Sequence, residues 1–208
     1  MSATAPKAPA QTVAYAIEDR LYLNITDRCT LRCAFCPKHR GSRAVRGHDL
    51  SLDHRPDTDE ILAAVGDPRP WREIVFCGYG EPTLRLGTLL EVAHALKARG
   101  AARVRVNTDG LACLVHKRDV LPELGACVDA VSVSMNAQNP AVYAHHCRPA
   151  LAGSWFAMLE FLERAPRHIG EVTATAIDGL EGVDVAACER LARAVGVRFR
   201  RRVLDVVG

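Results

Sequence analysis

Six short apolar segments recur through the 208-residue chain from residue 20 onward, and each except the last is followed by a stretch with apolar residues at helical spacing. The strand-like segments are Arg20 to Thr26, Glu73 to Cys77, Arg103 to Thr108, Asp129 to Asn136, Glu171 to Ile177 and Val197 to Val203. Helical patterning covers about 58 to 66, 87 to 99, 116 to 125, 153 to 164 and 184 to 195, with Thr58 and Asp184 as N-caps and Gly100 and Gly196 as stops. Such alternation predicts a parallel α/β fold. Six units fall short of the eight that close a full barrel, so the expected architecture is a partial (β/α)6 TIM-type barrel, open on one side.

Alternation along the strands sharpens this picture. The first strand sets Tyr22, Asn24 and Thr26 against Leu21, Leu23 and Ile25; the fourth sets Ser132, Ser134 and Asn136 against Val131, Val133 and Met135. The third carries Arg103, Arg105 and Asn107 opposite Val104 and Val106, and the fifth supplies Thr173 and Thr175. With the apolar set under the helices, the polar set lines the concave interior. A closed barrel fills that interior with branched aliphatics, so a polar one predicts a binding cavity.

The loop after the first strand holds Cys29, Cys33 and Cys36, a C-x3-C-x2-C triplet. Structural zinc sites pair two close-spaced knuckles, and no second C-x2-C or H-x3-H occurs. Ferredoxin spacings do not fit either. The triplet favours a 4Fe–4S cluster with three thiolate ligands and one iron open to an outside ligand; zinc stays as the weaker alternative. The remaining cysteines, Cys77, Cys113, Cys127 and Cys188, lack ligand spacing and read as small buried residues.

About half the chain is apolar and a quarter charged, which fits one globular domain over residues 15 to 208. Residues 1 to 14, rich in Ala, Pro, Ser and Thr, read as a disordered extension. With no transmembrane run and no signal-peptide apolar region, the expectation is a cytoplasmic protein away from the membrane. A net charge of +3 does not by itself argue for nucleic acid.

The triplet, with Phe35 before its third cysteine, resembles the cluster motif of radical S-adenosylmethionine (radical SAM) enzymes. Gly78-Tyr79-Gly80-Glu81-Pro82 is similar to that superfamily's GGEP segment, with Tyr79 replacing the second Gly, and Asn107-Thr108-Asp109-Gly110 resembles its Thr-Asn-Gly segment, with Asp109 in place of Asn. The strings Phe76 to Leu86 and Cys147-Arg148-Pro149 resemble the TatD-associated radical SAM proteins, which accompany TatD-type metal-dependent hydrolases. The resemblance implies that Cys29, Cys33 and Cys36 hold the cluster. It implies that Phe35, Gly78, Tyr79, Gly80, Glu81, Pro82, Asn107, Thr108, Ser134, Asn136 and Thr175 surround S-adenosylmethionine (SAM). The implied activity is reductive cleavage of SAM to methionine and a 5'-deoxyadenosyl radical that takes hydrogen from an unidentified substrate. An electron donor such as a flavodoxin or ferredoxin and a functional link to a TatD-type hydrolase come with it. The alternatives are an activase or modifier of a protein or peptide, and a non-catalytic iron–sulfur protein.

Three further features concern the substrate. Arg105, on the inner face, calls for an anionic partner and is a candidate for a substrate anion or the SAM carboxylate. The long loop Pro37 to Arg55 carries Lys38, His39, Arg40, Arg43, Arg46 and His48, which either clasp an anion or partner or are simply solvated. Cys147, beside His145 and His146 beyond the fourth strand, is a candidate hydrogen-atom donor.

Overall fold

A computed structural model describes residues 11 to 42 and 44 to 204. In chain order its elements are β1 (Ala14–Ile17), β2 (Arg20–Leu23), β3 (Ala44–Val45), β4 (His48–Asp49), α1 (Thr58–Val65), β5 (Glu73–Phe76), α2 (Leu86–Ala98) and β6 (Val104–Thr108). Then follow α3 (Ala112–His116), α4 (Leu121–Gly125), β7 (Ala130–Ser134), α5 (Pro140–Cys147), α6 (Ser154–Arg164), β8 (Glu171–Asp178), α7 (Val185–Ala194) and β9 (Arg198–Val203). One seven-stranded sheet runs β1-β2-β5-β6-β7-β8-β9, and β3-β4 is a separate hairpin. The six expected strands are its parallel members, paired in sequence order.

The seventh strand was not expected. β1 pairs antiparallel with β2 across a tight turn at Glu18, whose φ of 55 is left-handed. The turn lacks the Asn-Gly signal of a hairpin, and the strand is too short for alternation to be read. The boundary at residue 14 is corrected accordingly: the Val13 carbonyl accepts from the Asn24 amide at 2.8 Å, and Val13 is buried. Residues 1 to 10 lie outside the described residues.

Helix ends follow local chemistry. Asp57, not Thr58, caps α1: its side chain accepts from the Glu60 amide while Glu60 accepts from the Asp57 amide, a reciprocal capping box. Asp184 caps α7 through the Ala187 amide. The single helix expected at 116 to 125 is two short helices, α3 and α4, separated by Lys117 in the left-handed region and by Asp119, which accepts from the Leu121 amide. α5 was missed because Pro140 sits at its first turn and its apolar residues make almost no stripe.

The apolar faces of the strands, including Leu21, Leu23, Ile74, Phe76, Val104, Val106, Val131 and Val133, pack under the helices in one continuous core. The inner face has a small cluster of its own at Tyr15, Tyr22, Leu50 and Val75. Below it a chain of ion pairs links successive strands. Glu73 meets Arg20 Nε at 3.4 Å, Arg103 Nε at 2.8 Å and Arg105 Nε at 3.0 Å; Glu171 meets Arg103 at 2.9 Å and Arg198 at 2.8 Å.

Glu73 is buried and holds three guanidinium groups, so removing its charge leaves cations facing one another inside the barrel. Glu73→Gln is expected to destabilise the fold by about 3 kcal/mol, read as a lower urea midpoint with an unchanged slope. A change under about 0.5 kcal/mol would show that the pairs are too solvated to matter.

Candidate functional site

The Cys29 to Cys36 segment has almost no regular structure of its own and is held by the ends of its neighbours. The Glu81 amide, just beyond β5, donates to the Arg28 carbonyl at 2.7 Å. Beyond β6, Asp109 Oδ2 accepts from Thr30 Oγ1 at 2.5 Å. From the other side, the amides of Arg32 and Ala34 donate to the carbonyls of Cys147 and His146, and the Ala150 amide donates to the Thr30 carbonyl. The end of α5 and the Cys147-Arg148-Pro149 turn therefore form one wall of the cysteine loop. Only this contact reveals that role; nothing in the spacing of the sequence does.

Glu81 is the hub of this arrangement. Its Oε1 accepts from Thr83 N, Thr83 Oγ1 and Thr108 Oγ1 at 3.1, 2.7 and 2.9 Å, and its Oε2 accepts from Asp109 N at 2.7 Å. Burial first, and then the adjacent Asp109 carboxylate, push Glu81 up to about 8. Asp109 is raised as well, by burial. Asp109, where the family pattern has Asn, also accepts from the Leu111 amide at 2.9 Å, so the carboxylate closes the turn and pins Thr30.

The glycines have a structural reason. A Cβ on Gly78 would lie 2.1 Å from Asn24 Oδ1, and one on Gly80 would lie 2.3 Å from the Arg28 carbonyl oxygen and 2.7 Å from that of Thr26. Their lack of a side chain lets the end of β2 and the cysteine loop approach. Asn24 completes the joint, donating to the carbonyls of Thr12 and Leu50 and accepting from the Tyr79 amide.

These elements enclose a cavity of about 320 Å³ on the inner face. Cys29, Cys33, Phe35 and Cys36 line it from the first loop, and Gly78, Tyr79, Gly80 and Glu81 from the second. Asn107, Thr108 and Asp109 come from the third, Ser134 and Asn136 from the fourth, and Thr175 from β8. Pro82, Arg105 and Cys147 do not reach it. Pro82 starts a short 3-10 helix behind Glu81. Arg105 lies lower, against Glu73 and Asn107 Oδ1, so the acidic partner its position calls for comes from the chain. Cys147 is fully buried behind the loop, next to Cys33 and 3.9 Å from Asn136 Nδ2. In the 37–55 loop, Val45 and Leu50 face the cavity, and the His48 ring lies over Tyr15 at 5.2 Å. Arg43 lies outside the described residues. A second hollow of about 340 Å³, between α5 and the start of α6 near Trp155 and Phe156, holds none of these groups.

The donor set is one that a polynuclear cluster can use. A polynuclear cluster gives each thiolate a different iron, and three thiols of one loop facing one cavity suit it. Burial raises Cys29 and Cys36, and the neighbouring Cys147 thiol, ahead of burial, raises Cys33. Metal loading must therefore release protons. For a polar ligand, Asn136 is the clearest sign: it is buried at a left-handed φ of 59, and its Oδ1 has no hydrogen-bond partner among the described residues.

A family model described as the radical SAM superfamily matches residues 23–195. The chain belongs to the radical SAM superfamily. A GTP 3',8-cyclase of Pelotomaculum thermopropionicum is 30% identical over 183 residues, 86% of this chain and 54% of that protein. The tungsten-containing aldehyde ferredoxin oxidoreductase cofactor-modifying protein of Pyrococcus furiosus is 30% identical over 155 residues, 71% of this chain and 40% of that one. The chain thus spans about half the length of the curated relatives it matches, or less. Among solved structures, Streptococcus suis SuiB bound to S-adenosylmethionine superposes with a TM-score of 0.63 at 13% identity, over 89% of this chain and 40% of SuiB. That likeness supports the mixed α/β, open-barrel fold. Among the described residues no helix is long and apolar enough to cross a membrane.

Gly80→Ala is expected to displace the cysteine loop, so that after anaerobic reconstitution the variant holds markedly less iron per chain. Gly87→Ala, where nothing lies within 4 Å of the added carbon, should load like the parent. Equal loading of both variants would show that the joint does not shape the loop. Glu81 sets a pH dependence. A carboxyl raised from 4.5 to about 8 stabilises fully below its unfolded value, and that contribution is lost as pH rises through about 8. The cluster-free protein should lose stability across this window in urea melts. Glu81→Gln, which keeps that position neutral at every pH, should be flatter with pH. Equal slopes would place the proton elsewhere.

Proposed function

We propose that this chain is a radical SAM enzyme that acts on a substrate held in the inner cavity. The reading is carried by one observation: three thiols and the polar groups of four strand ends line the same cavity. Cys29, Cys33 and Cys36 would hold a 4Fe–4S cluster, with Phe35 shielding it. The Gly78 to Glu81 backbone, Asn107, Thr108, Ser134, Asn136 and Thr175 would hold SAM. When bound, this pair supplies one-electron cleavage of the sulfonium and a 5'-deoxyadenosyl radical that abstracts hydrogen. The chain's own part is to orient and to exclude water. Asn136 offers an unpaired buried acceptor, Ser134 a hydroxyl at the cavity wall, and Leu50, Val45 and Phe35 an apolar cover.

The names of the relatives support GTP as the first substrate to test, and the open side of the barrel supports a peptide as the second class. The strings Phe76 to Leu86 and Cys147 to Pro149 support the TatD-associated grouping and a functional link to a TatD-type hydrolase. A flavodoxin or ferredoxin donor and a cytoplasmic location complete the reading.

Reconstituted protein given SAM and a strong reductant is expected to form 5'-deoxyadenosine, followed by chromatography, and Cys33→Ala is expected to form none. Product from the variant at the parental rate, or none from a fully loaded parent that binds SAM and has been offered both substrate classes, would reject the proposal.

A further inference from the structure

β9, at the open edge of the sheet, carries four arginines in five residues, and the structure divides them by face and by partner. Parallel register sets Arg200 beside Thr175 and Arg202 beside Ile177. All four of these residues line the cavity. Arg201 points to the other face and pairs with Asp178. Arg198, lowest on the inner face, is held by Glu171 at 2.8 Å.

Arg200 and Arg202 have no such partner among the described residues. Among the described residues neither makes an ion pair or a side-chain hydrogen bond, and the buried Nε of Arg202 has no acceptor. The acids nearby are already engaged. Glu73 serves Arg20, Arg103 and Arg105, while Glu81 and Asp109 are surrounded by the donors that tie the cysteine loop. Desolvation and the like charges of Arg105 and Arg202 hold the Arg200 guanidinium below its ordinary value, although the residue as a whole is exposed at the sheet edge. Arg202 is also close enough to act on Cys77, on the β5 side.

Guanidinium groups that line a cavity without an acid are open to an anion, and their planar forks match the oxygens of phosphate or carboxylate. We infer that Arg200 and Arg202 form the anion-binding pair of the substrate site, so that the substrate carries a phosphate or carboxylate and enters along the open β9 edge. The anionic partner that the sequence sought for Arg105 is thereby moved to β9. The inference rests on reading the cavity as the reaction chamber, but its test is binding and needs neither cluster nor SAM.

The test is calorimetric titration of the cluster-free full chain at low salt with inorganic pyrophosphate and, separately, with malonate. The parent is expected to bind at least one probe, and the preferred probe tells phosphate from carboxylate. Arg200→Gln and Arg202→Gln should each weaken binding about tenfold, and the double variant should abolish it. Arg201→Gln, on the opposite face, should bind like the parent. Circular dichroism and melting checks on the double variant should show an intact fold, since neither side chain has a partner to lose. A parent that binds neither probe, or a folded double variant that binds as the parent does, would overturn the inference. Anion binding that persists in a chain unable to form 5'-deoxyadenosine would fault the enzymatic reading and leave this site standing.

Discussion

The cysteine loop has little hydrogen bonding within itself, so its shape depends on being clamped between the ends of β5, β6 and α5. Glu81 makes the clamp a single unit. Its carboxylate gathers Thr83, Thr108 and the Asp109 amide, its own amide holds Arg28, and Asp109 holds Thr30. Two carboxylates buried side by side are expensive unless donors surround them, and here each is met by hydroxyl and amide donors. The same interaction that fixes the loop also brings its three thiols to the mouth of the barrel.

Much of this was legible in the sequence because two periodicities agree. Residues such as Val104 and Val106 had to be buried under helices, which left Asn107, Ser134 and Thr175 to face inward. The structure places them there. The resemblance of the cysteine, Gly-Tyr-Gly-Glu and Asn-Thr-Asp-Gly motifs then identified residues that do share one cavity. What could not be read were tertiary matters. β1 is four residues beyond a turn with no glycine, and α5 has scarcely any apolar stripe. The partners of the arginines depend on register: Arg105 meets Glu73 although thirty-two positions separate them, and alternation alone could not say which of the β9 arginines would find a carboxylate. Nor could the sequence tell that Gly78 and Gly80, besides lining the cavity, leave room for Asn24 and the loop backbone.

The electrostatics of the cavity divide it into two ends. The mouth carries thiols, two internally bonded acids and, on β9, the two arginines that no described residue pairs; below it a ladder of ion pairs ends at Arg198. Unmatched cations at the mouth attract an anion before any specific contact is made. It also explains how a small open barrel tolerates so polar an interior, since most of the charge is paired within the protein and the remainder lies where a ligand enters.

Mössbauer spectroscopy of the reconstituted chain, recorded before and after adding SAM, addresses most directly whether the clamped loop holds a cluster with one open iron. Expected is a 4Fe–4S spectrum in which a single iron changes its coordination when SAM is added. A spectrum that SAM leaves unaltered, or iron bound in some other form, would contradict the assignment of the loop as a three-thiolate site facing the cofactor cavity.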